Sequence, residues 1–339
     1  MKNILSKKTV AVIIPFYNGA SFIERALISV MSQTISADEI IVVNDGSRAE
    51  EQESLYQLQD KYHFKIIDKE NGGQGSARNI GVAACNSEYI SFLDQDDFYL
   101  DYHIEILLEG IPLNDNRLGF VYGDLHEADG EGNIVRTSMV KDHSVHPKRS
   151  IFDLLRNDMF VLPSASLISV KAFNAIGGFD TQFTGYEDDD LFMRLFRKGY
   201  SNYFVDKPVT VWCIHMASTS YGIKMIRSRY RYFEKLIPMF PNEVERVRYY
   251  FRDCLMPRFG NLFILDAVKA VRVNSEHRDE INSILIKYSK RVAEDRFVSI
   301  RVKIKLWILI ILLTKMPYWV IKLLIKVRRL PFLNRIIRL

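Results

Sequence analysis

Glu88-Tyr89-Ile90-Ser91-Phe92-Leu93-Asp94-Gln95-Asp96-Asp97 decides how this chain folds. β-Branched and aromatic residues from Tyr89 to Leu93 suit a buried strand. The three carboxylates that follow cannot stay in a core without partners. The chain is therefore expected to leave the sheet at Asp94 and present its acids at the carboxyl edge, where open α/β sheets place their ligands. Asp-x-Asp at such an edge suits a hard divalent cation shared with a phosphate-bearing ligand. An exposed acidic turn accounts for the same residues, because Asp-rich turns are common. The surrounding sequence has to separate the two readings.

Upstream, Thr9 to Ile14 is a short apolar run closed by Pro15, as in a central parallel strand. Asn18-Gly19 makes the turn. Ser21 and Glu24 stand at capping-box distance, and Ile23, Leu27, Val30 and Met31 form one helical face. Glu39 to Asn44 is a second strand ending in the polar exit Asn44-Asp45-Gly46-Ser47. A helix over Ala49 to Lys61 and a strand over Phe64 to Ile67 complete a β-α-β-α-β run, for which a right-handed parallel sheet is the default. Asn71-Gly72-Gly73-Gln74-Gly75 then opens a helix. Glycines at a helix start let backbone N–H groups approach an anion, although this spacing fits neither the dinucleotide nor the P-loop pattern.

Downstream, a helix near Tyr102 to Leu108, a strand near Leu118 to Tyr122 and a hairpin turn at Asp129-Gly130-Glu131-Gly132-Asn133 are expected. Ile151 to Asn157 reads as a short helix, Leu162 to Val170 as extended, and Lys171 to Ile176 as a helix stopped by Gly177-Gly178. Glu187-Asp188-Asp189-Asp190 opens a helix whose apolar face is Leu191, Leu195 and Phe196. Four acids there complement the helix dipole, which is a sufficient structural reason for them. A strand pair around Tyr203 to Ile214 ends at His215, and from Ile223 the pattern is helical.

With 48% hydrophobic and 12% aromatic residues in a length of 339, the chain can bury the core of one large or two medium domains. Cys85, Cys213 and Cys254 are odd in number and lack metal-ligand spacing. This argues for a reducing compartment and against a disulfide scaffold or zinc site. The apolar run Val10 to Ile14 is too short for a signal peptide, so a cytoplasmic setting is expected. The net charge of +5 hides an asymmetry: positions 296–339 hold eleven Lys/Arg and no acid, against 35 basic and 41 acidic residues before them. Such halves suggest a polyanionic partner for the basic end.

Six segments in sequence order resemble the inverting family 2 glycosyltransferases. They are Val12-Ile13-Ile14-Pro15-Phe16-Tyr17-Asn18, Val42-Val43-Asn44-Asp45-Gly46-Ser47, Asn71-Gly72 through Ala77-Arg78-Asn79-Ile80-Gly81, Phe92-Leu93-Asp94-Gln95-Asp96-Asp97, Gly177-Gly178-Phe179-Asp180 and Tyr186-Glu187-Asp188. The likeness spans roughly residues 9–220 and nothing comparable covers the remainder. It implies an α/β GT-A fold, a Rossmann-like and mostly parallel open sheet flanked by helices, with a C-terminal helical region. The organisation expected is a catalytic domain over 1–220, a helical extension over 221–295 and a basic amphipathic tail over 296–339.

The resemblance also implies roles. Pro15, Tyr17, Asn18, Asp45, Arg78, Asp94 and Gln95 would line a nucleotide-sugar site, most simply for a UDP-sugar. There Tyr17 would stack on the base and Asp45 accept from a base or ribose donor. Asn44 stands where the family more usually has Asp, which removes a charge. Arg78 would lie near the base or diphosphate, the plain alternative being a solvated helix residue. Asp94 and Asp96 would hold Mg2+ or Mn2+, Asp96 more directly, and His215 would reach the metal or the diphosphate. Relatives often carry Arg two residues before that His, and this chain has Cys213. Asp188 would be the general base that takes a proton from an acceptor hydroxyl, with Glu187 orienting it. Crowding couples Asp188, Asp189 and Asp190. The acceptor would be a lipid-linked glycan of a surface polysaccharide or O-antigen. Two rivals are a nucleotidyltransferase, disfavoured by Pro15-Phe16-Tyr17-Asn18, and a non-catalytic sugar- or carrier-binding module, disfavoured by Asp96 and Asp188.

Leu306 to Leu313 is an apolar run of eight, short of the ~20 residues needed to span a bilayer. Beyond Pro317, Lys322, Lys326 and Arg329 oppose Trp319, Leu323, Val327 and Leu330 in the pattern of a helix lying in a membrane surface. The expected partner is anionic lipid, which puts the protein peripherally on the inner face of the cell membrane. A helix pair docked on the body and a true span are the alternatives. Nucleic acid is disfavoured, since the apolar content exceeds what a phosphate-reading surface needs.

Overall fold

The structure, a computed structural model, describes residues 8–214 and 222–315. The described residues form two compact units, one of 8–149 with 158–214 and the other of 150–157 with 222–315.

The first unit opens with β1 (Val10–Phe16), α1 (Ala20–Met31), β2 (Glu39–Asp45), α2 (Ala49–Tyr62), β3 (Lys65–Lys69), α3 (Gln74–Ala83) and β4 (Tyr89–Phe92). These four strands are parallel, in the order β3-β2-β1-β4. All seven residues of β1 are buried, as a strand covered on both faces requires. α3 presses on β1 at Gly81, where a Cβ would come within 2.4 Å of the Ile13 side chain.

Beyond β4 the sheet becomes mixed. β5 (Phe98–Tyr99), α4 (His103–Glu109), β6 (Leu118–Ala128) and β7 (Ile134–Arg136) are followed, after α5 (Ile151–Arg156) of the other unit, by β8 (Ser166–Ser169), α6 (Val170–Ala175), α7 (Glu187–Arg197) and β9 (Ser201–Cys213). The order continues β4-β8-β6-β9-β5, with β8 antiparallel to both neighbours and β9 parallel to β6.

Three expectations change here. The strand pair near Tyr203 to Ile214 is one strand of 13 residues, because a register shift opposite Asp124 absorbs Pro208, which has no N–H for a regular ladder. The segment from Leu162 is extended only from Ser166, after a short 3-10 turn at Pro163–Ala165. Ser21 does not cap α1. It lies inside the helix, the Ala20 N–H donates to the Glu51 carboxylate at 2.9 Å, and Glu24 accepts from Lys61 and Tyr62.

A polar knot lies in the middle of this unit. Buried Ser91 Oγ meets Tyr99 Oη at 2.8 Å and His103 Nε2 at 2.9 Å, and donates to the Ser166 carbonyl. Burial holds the His103 imidazole down at about 3 and keeps it neutral.

The second unit consists of α5 with α8 (Ile223–Met239), α9 (Met256–Arg272), α10 (Arg278–Glu294) and α11 (Ile300–Lys315). Its core is aromatic, with Phe233 packed against Phe259, Phe263 and Tyr288. The Arg258 guanidinium donates to the Leu154 carbonyl of α5 at 3.0 Å. The amphipathic pattern around Lys322, Lys326 and Arg329 lies outside the described residues, as does His215.

Candidate active site

The carboxyl ends of β1, β2 and β4, helix α3 and the N-terminus of α7 supply the described residues singled out in the sequence. At the β1 exit Pro15 is buried in the strand opposite Val43, and Tyr17 is 50% exposed, its ring available for stacking. The Gln95 amide braces this exit in both directions. Its Oε1 accepts from the Tyr17 N–H at 2.9 Å and its Nε2 donates to the Tyr17 carbonyl at 3.2 Å. A Cβ on Gly19 would lie 2.2 Å from that amide, so any larger residue there would have to displace the Gln95 side chain. Asn18, at φ 48°, links β1 to β2: its N–H donates to Ser47 Oγ, and its Oδ1 accepts from the Arg48 N–H.

At the β2 exit the buried Asp45 carboxylate is fully engaged within the chain. It accepts from the Gly72 and Gly73 N–H groups, each at 2.8 Å, and from Lys69 Nζ. The glycine-rich turn therefore does hold an anion, and the anion is Asp45. These three donors fix the orientation of the carboxylate that the sequence assigns to a base or ribose donor. Parallel pairing sets Lys69 opposite Asp45, so the brace comes from the β2–β3 register and not from any local motif. Asn44 is tied equally well, donating to Asp68 Oδ1 at 2.7 Å and accepting from the Ser47 N–H at 3.1 Å. An Asp at this position would set a carboxylate against Asp68, which gives the missing charge a physical reason.

Arg78 is not a solvated helix residue. It is 2% exposed, and its guanidinium donates to Asp94 Oδ1 at 2.6 Å and to Glu187 Oε1 at 3.4 Å. Phe92 and Phe179 flank it, with their ring centroids 5.7 and 5.2 Å from the guanidinium carbon. Burial alone would lower its proton affinity, but Asp94 and Glu187 outweigh that effect and raise it. Arg78 thus joins the acidic exit of β4 to the acidic start of α7. Asp94 Oδ1 also accepts from Gln74 Nε2 at 2.6 Å. The Asn79 amide fixes Phe179 by a reciprocal pair of hydrogen bonds at 2.9 and 2.8 Å. Gln74 and Phe179 carried no ligand signal in the sequence, because their partners lie twenty and a hundred residues away.

The first turn of α7 separates its acids by role. Tyr186, at φ 66°, turns the chain into the helix in a left-handed conformation that non-glycine residues adopt at a cost. Asp190 pairs with Arg194 at 2.7 Å, and Arg194 reaches on to the carbonyls of Ile176 and Gly178. Asp189 accepts from the Met159 N–H at 3.3 Å. These two acids build structure. Glu187 Oε2 is buried without a hydrogen-bond partner, and Asp188 remains partly exposed. Burial raises the Glu187 carboxyl against the opposing pull of Arg78. Burial, with Glu187 and Asp189 beside it, raises the Asp188 carboxyl well above the usual carboxylate range.

Around Asp96, the Arg25 guanidinium donates to the Asp96 carbonyl at 2.7 Å and to Cys213 Sγ at 3.3 Å. A positive group therefore does stand beside Cys213, delivered from α1. Asp97 is buried, with Oδ1 accepting from the Cys213 N–H at 2.9 Å and Oδ2 unpartnered. Among the described residues no three His, Cys, Asp or Glu side chains form a ready metal cage. The donor chemistry still fits Mg2+ or Mn2+, because such ions are commonly bound through one or two carboxylates with substrate phosphates completing the shell.

This sheet order, with ligand-type residues at the carboxyl ends and an acidic helix start facing them, defines a GT-A glycosyltransferase fold. The S. aureus TarS 1–349 structure superimposes at TM-score 0.50 with 17% identity, covering 90% of this chain and 79% of that one. The mannosyltransferase PcManGT of Pyrobaculum calidifontis gives TM-score 0.52 and 18% identity over 69% of this chain and 65% of that one. Residues 11–177 match the model for glycosyl transferase family 2, and residues 163–217 match that for the N-terminal domain of galactosyltransferase. An uncharacterized glycosyltransferase of Rickettsia prowazekii is 34% identical over 224 residues, which is 65% of this chain and 68% of that protein. The chain belongs to glycosyl transferase family 2. One from Rickettsia conorii is 35% identical, but its match spans 56% of this chain and only 31% of that protein.

Proposed function

We propose that the chain is an inverting, metal-dependent glycosyltransferase that moves a sugar from a nucleoside-diphosphate donor, most simply a UDP-sugar, to a hydroxyl of a glycan. The observation that carries this reading is the Arg78 bridge, which brings the β4 carboxylates and the α7 acids into one constellation. Tyr17 stacks on the base, within a wall fixed by Asn18, Asp45 and Gln95. Asp94 and Asp96, with His215, would hold Mg2+ or Mn2+. Such a cation supplies positive charge against the departing diphosphate. Asp188 takes the proton of the acceptor hydroxyl as that oxygen attacks the anomeric carbon, and one displacement inverts the configuration. A carboxyl raised well above the usual carboxylate range suits a general base, since it holds an abstracted proton more firmly than an ordinary one. Glu187, held by Arg78, orients this end of the helix.

Among proteins of this fold, PcManGT is known in complex with GDP-Man and Mn2+, and TarS 1–349 in complex with UDP-GlcNAc. The E. coli chondroitin synthase is 28% identical over 56% of this chain and 27% of that protein, which favours a growing polysaccharide as acceptor. The basic, acid-free stretch from Arg296 supports work at the inner face of the membrane on a lipid-linked acceptor. We assign the catalytic domain to 1–220, the helical extension to 221–295 and the membrane-associating tail to 296–339. A panel of nucleotide sugars tests the proposal: one donor is hydrolysed, and chelator abolishes the hydrolysis. Tight sugar binding with no turnover of any donor would instead indicate a binding module.

A further inference from the structure

α11 carries apolar residues on two sides. Leu306, Leu309 and Leu313 are buried, and the helix packs on α10 and α9. Ile300, Ile304, Trp307 and Ile308 are 66, 49, 64 and 40% exposed. At about 100° per residue these four share one stripe, roughly opposite the buried leucines. Single exposed apolar side chains are ordinary, but four on one stripe with a tryptophan among them make a patch.

The charges around the patch say what it meets. Arg301 and Lys305 border it on one side and Lys303 on the other, with no Asp or Glu anywhere in 296–339. Lys303 Nζ, at 2.8 Å from the Ala293 carbonyl, is held at the helix flank. An apolar stripe with a Trp and cationic borders is the composition of a helix seated in the headgroup layer of a bilayer. No helix among the described residues is long and apolar enough to cross.

We propose that the Ile300, Ile304, Trp307 and Ile308 stripe of α11 docks on the anionic lipid surface of a membrane. The proposal rests on the membrane-surface reading above and moves the contact into α11, ahead of Pro317. The side chains insert between headgroups while Arg301, Lys303 and Lys305 meet lipid phosphates. The occupant is a lipid surface and not an acidic protein groove, because the stripe is a flat row of aliphatic and indole groups bordered by cations on both sides.

The test uses the full chain and vesicles of phosphatidylcholine alone or mixed with phosphatidylglycerol. The protein should sediment with the anionic vesicles only, and less so as salt rises. Ile304→Glu with Trp307→Glu, at exposed positions that leave the fold intact, should weaken this binding about tenfold or more and leave donor hydrolysis without vesicles unchanged. In a Trp212→Phe, Trp319→Phe background, Trp307 emission should shift to the blue on anionic vesicles. If the parent chain binds and the double variant binds equally well, the stripe is overturned while the membrane reading stands. If the parent chain binds neither vesicle, both fail. If the double variant turns a dimer into a monomer without changing vesicle binding, the stripe meets a second copy and the proposal is wrong.

Discussion

Two acidic exits of one sheet are handled in opposite ways. At the end of β2, Asp45 accepts from two backbone N–H groups and a lysine, and both ends of the Asn44 amide are used. At the end of β4 and the start of α7, Asp97 Oδ2, Glu187 Oε2 and Arg78 Nε are buried without hydrogen-bond partners. The Asp97, Glu187 and Asp188 carboxyls there are all raised, burial being the largest cause in each. A carboxylate held by three donors of its own chain braces the exit, whether or not a ligand donor also reaches it. An under-satisfied acid keeps its affinity for protons or ligand groups; Asp124 Oδ2 in β6 is unpartnered too, so it is the clustering of three such groups with raised carboxyls that marks this edge.

The largest test of that contrast is Asp188→Asn. Glycosyl transfer should fall by about a thousandfold, within the usual contribution of a general base. Thermal stability should hold or rise, since one of several crowded carboxylates is gone. Product formation at saturating donor, beside a melting curve, gives both readings, and retained transfer would move the base to another residue. Arg78→Met comes next. It strands Asp94 and Glu187, for which breaking a buried ion pair costs about 3–5 kcal/mol in urea denaturation. Arg78→Lys should recover only part of that, because a point charge cannot reach both acids in the guanidinium's fork geometry. Asp45→Asn is smaller, about 1–3 kcal/mol, because the amide keeps one acceptor for the glycine N–H groups but strands Lys69.

The same contrast explains what the sequence could and could not convey. β1 to β4 were legible because each is an uninterrupted apolar or β-branched run ended by a turn, and the local pattern alone specifies it. Asp188 and Asp96 stood out because their motifs come in a fixed order. The braces were not legible: Lys69 reaches Asp45 only through strand register, and Arg25 reaches Asp96 and Cys213 across 71 and 188 residues. Arg78 looked solvent-facing because its partners lie on β4 and α7. Similarly, the unbroken run Leu306 to Leu313 concealed that one side of α11 is buried and the other exposed.

A saturated group away from the edge provides a pH control. His103 is held near 3 against an ordinary value near 6.5, so it stays neutral in the fold while the unfolded chain binds a proton first. Its share of stability is therefore complete above about pH 6.5 and is lost at up to about 1.4 kcal/mol per pH unit as pH falls toward 3. Asp97 and Asp188 act in the opposite sense, their cost to folding growing as pH rises past the ordinary carboxylate range. His103→Phe should flatten the slope of urea stability between pH 6.5 and 5, and an unchanged slope would assign it elsewhere.

The smallest effect, and the one that sharpens the comparison most, is expected from Asn44→Asp. The substitution restores the family's more usual residue, and by sequence alone it should be harmless. In this fold Asn44 Nδ2 donates to Asp68 Oδ1 at 2.7 Å, and the other Asp68 oxygen accepts from Tyr56 Oη at 2.7 Å. An aspartate would keep the acceptor for the Ser47 N–H but set a buried carboxylate oxygen against that of the exposed Asp68. The cost should be about 1–2 kcal/mol at pH 7.5, the loss of one hydrogen bond plus the repulsion. It should shrink at pH 5 if a proton on the introduced carboxyl restores a donor. A penalty that is equal at both pH values would mean that shape and not charge selects asparagine at the end of β2. A penalty that vanishes with acid would show that this exit stays a strut only while every charge in it has a partner.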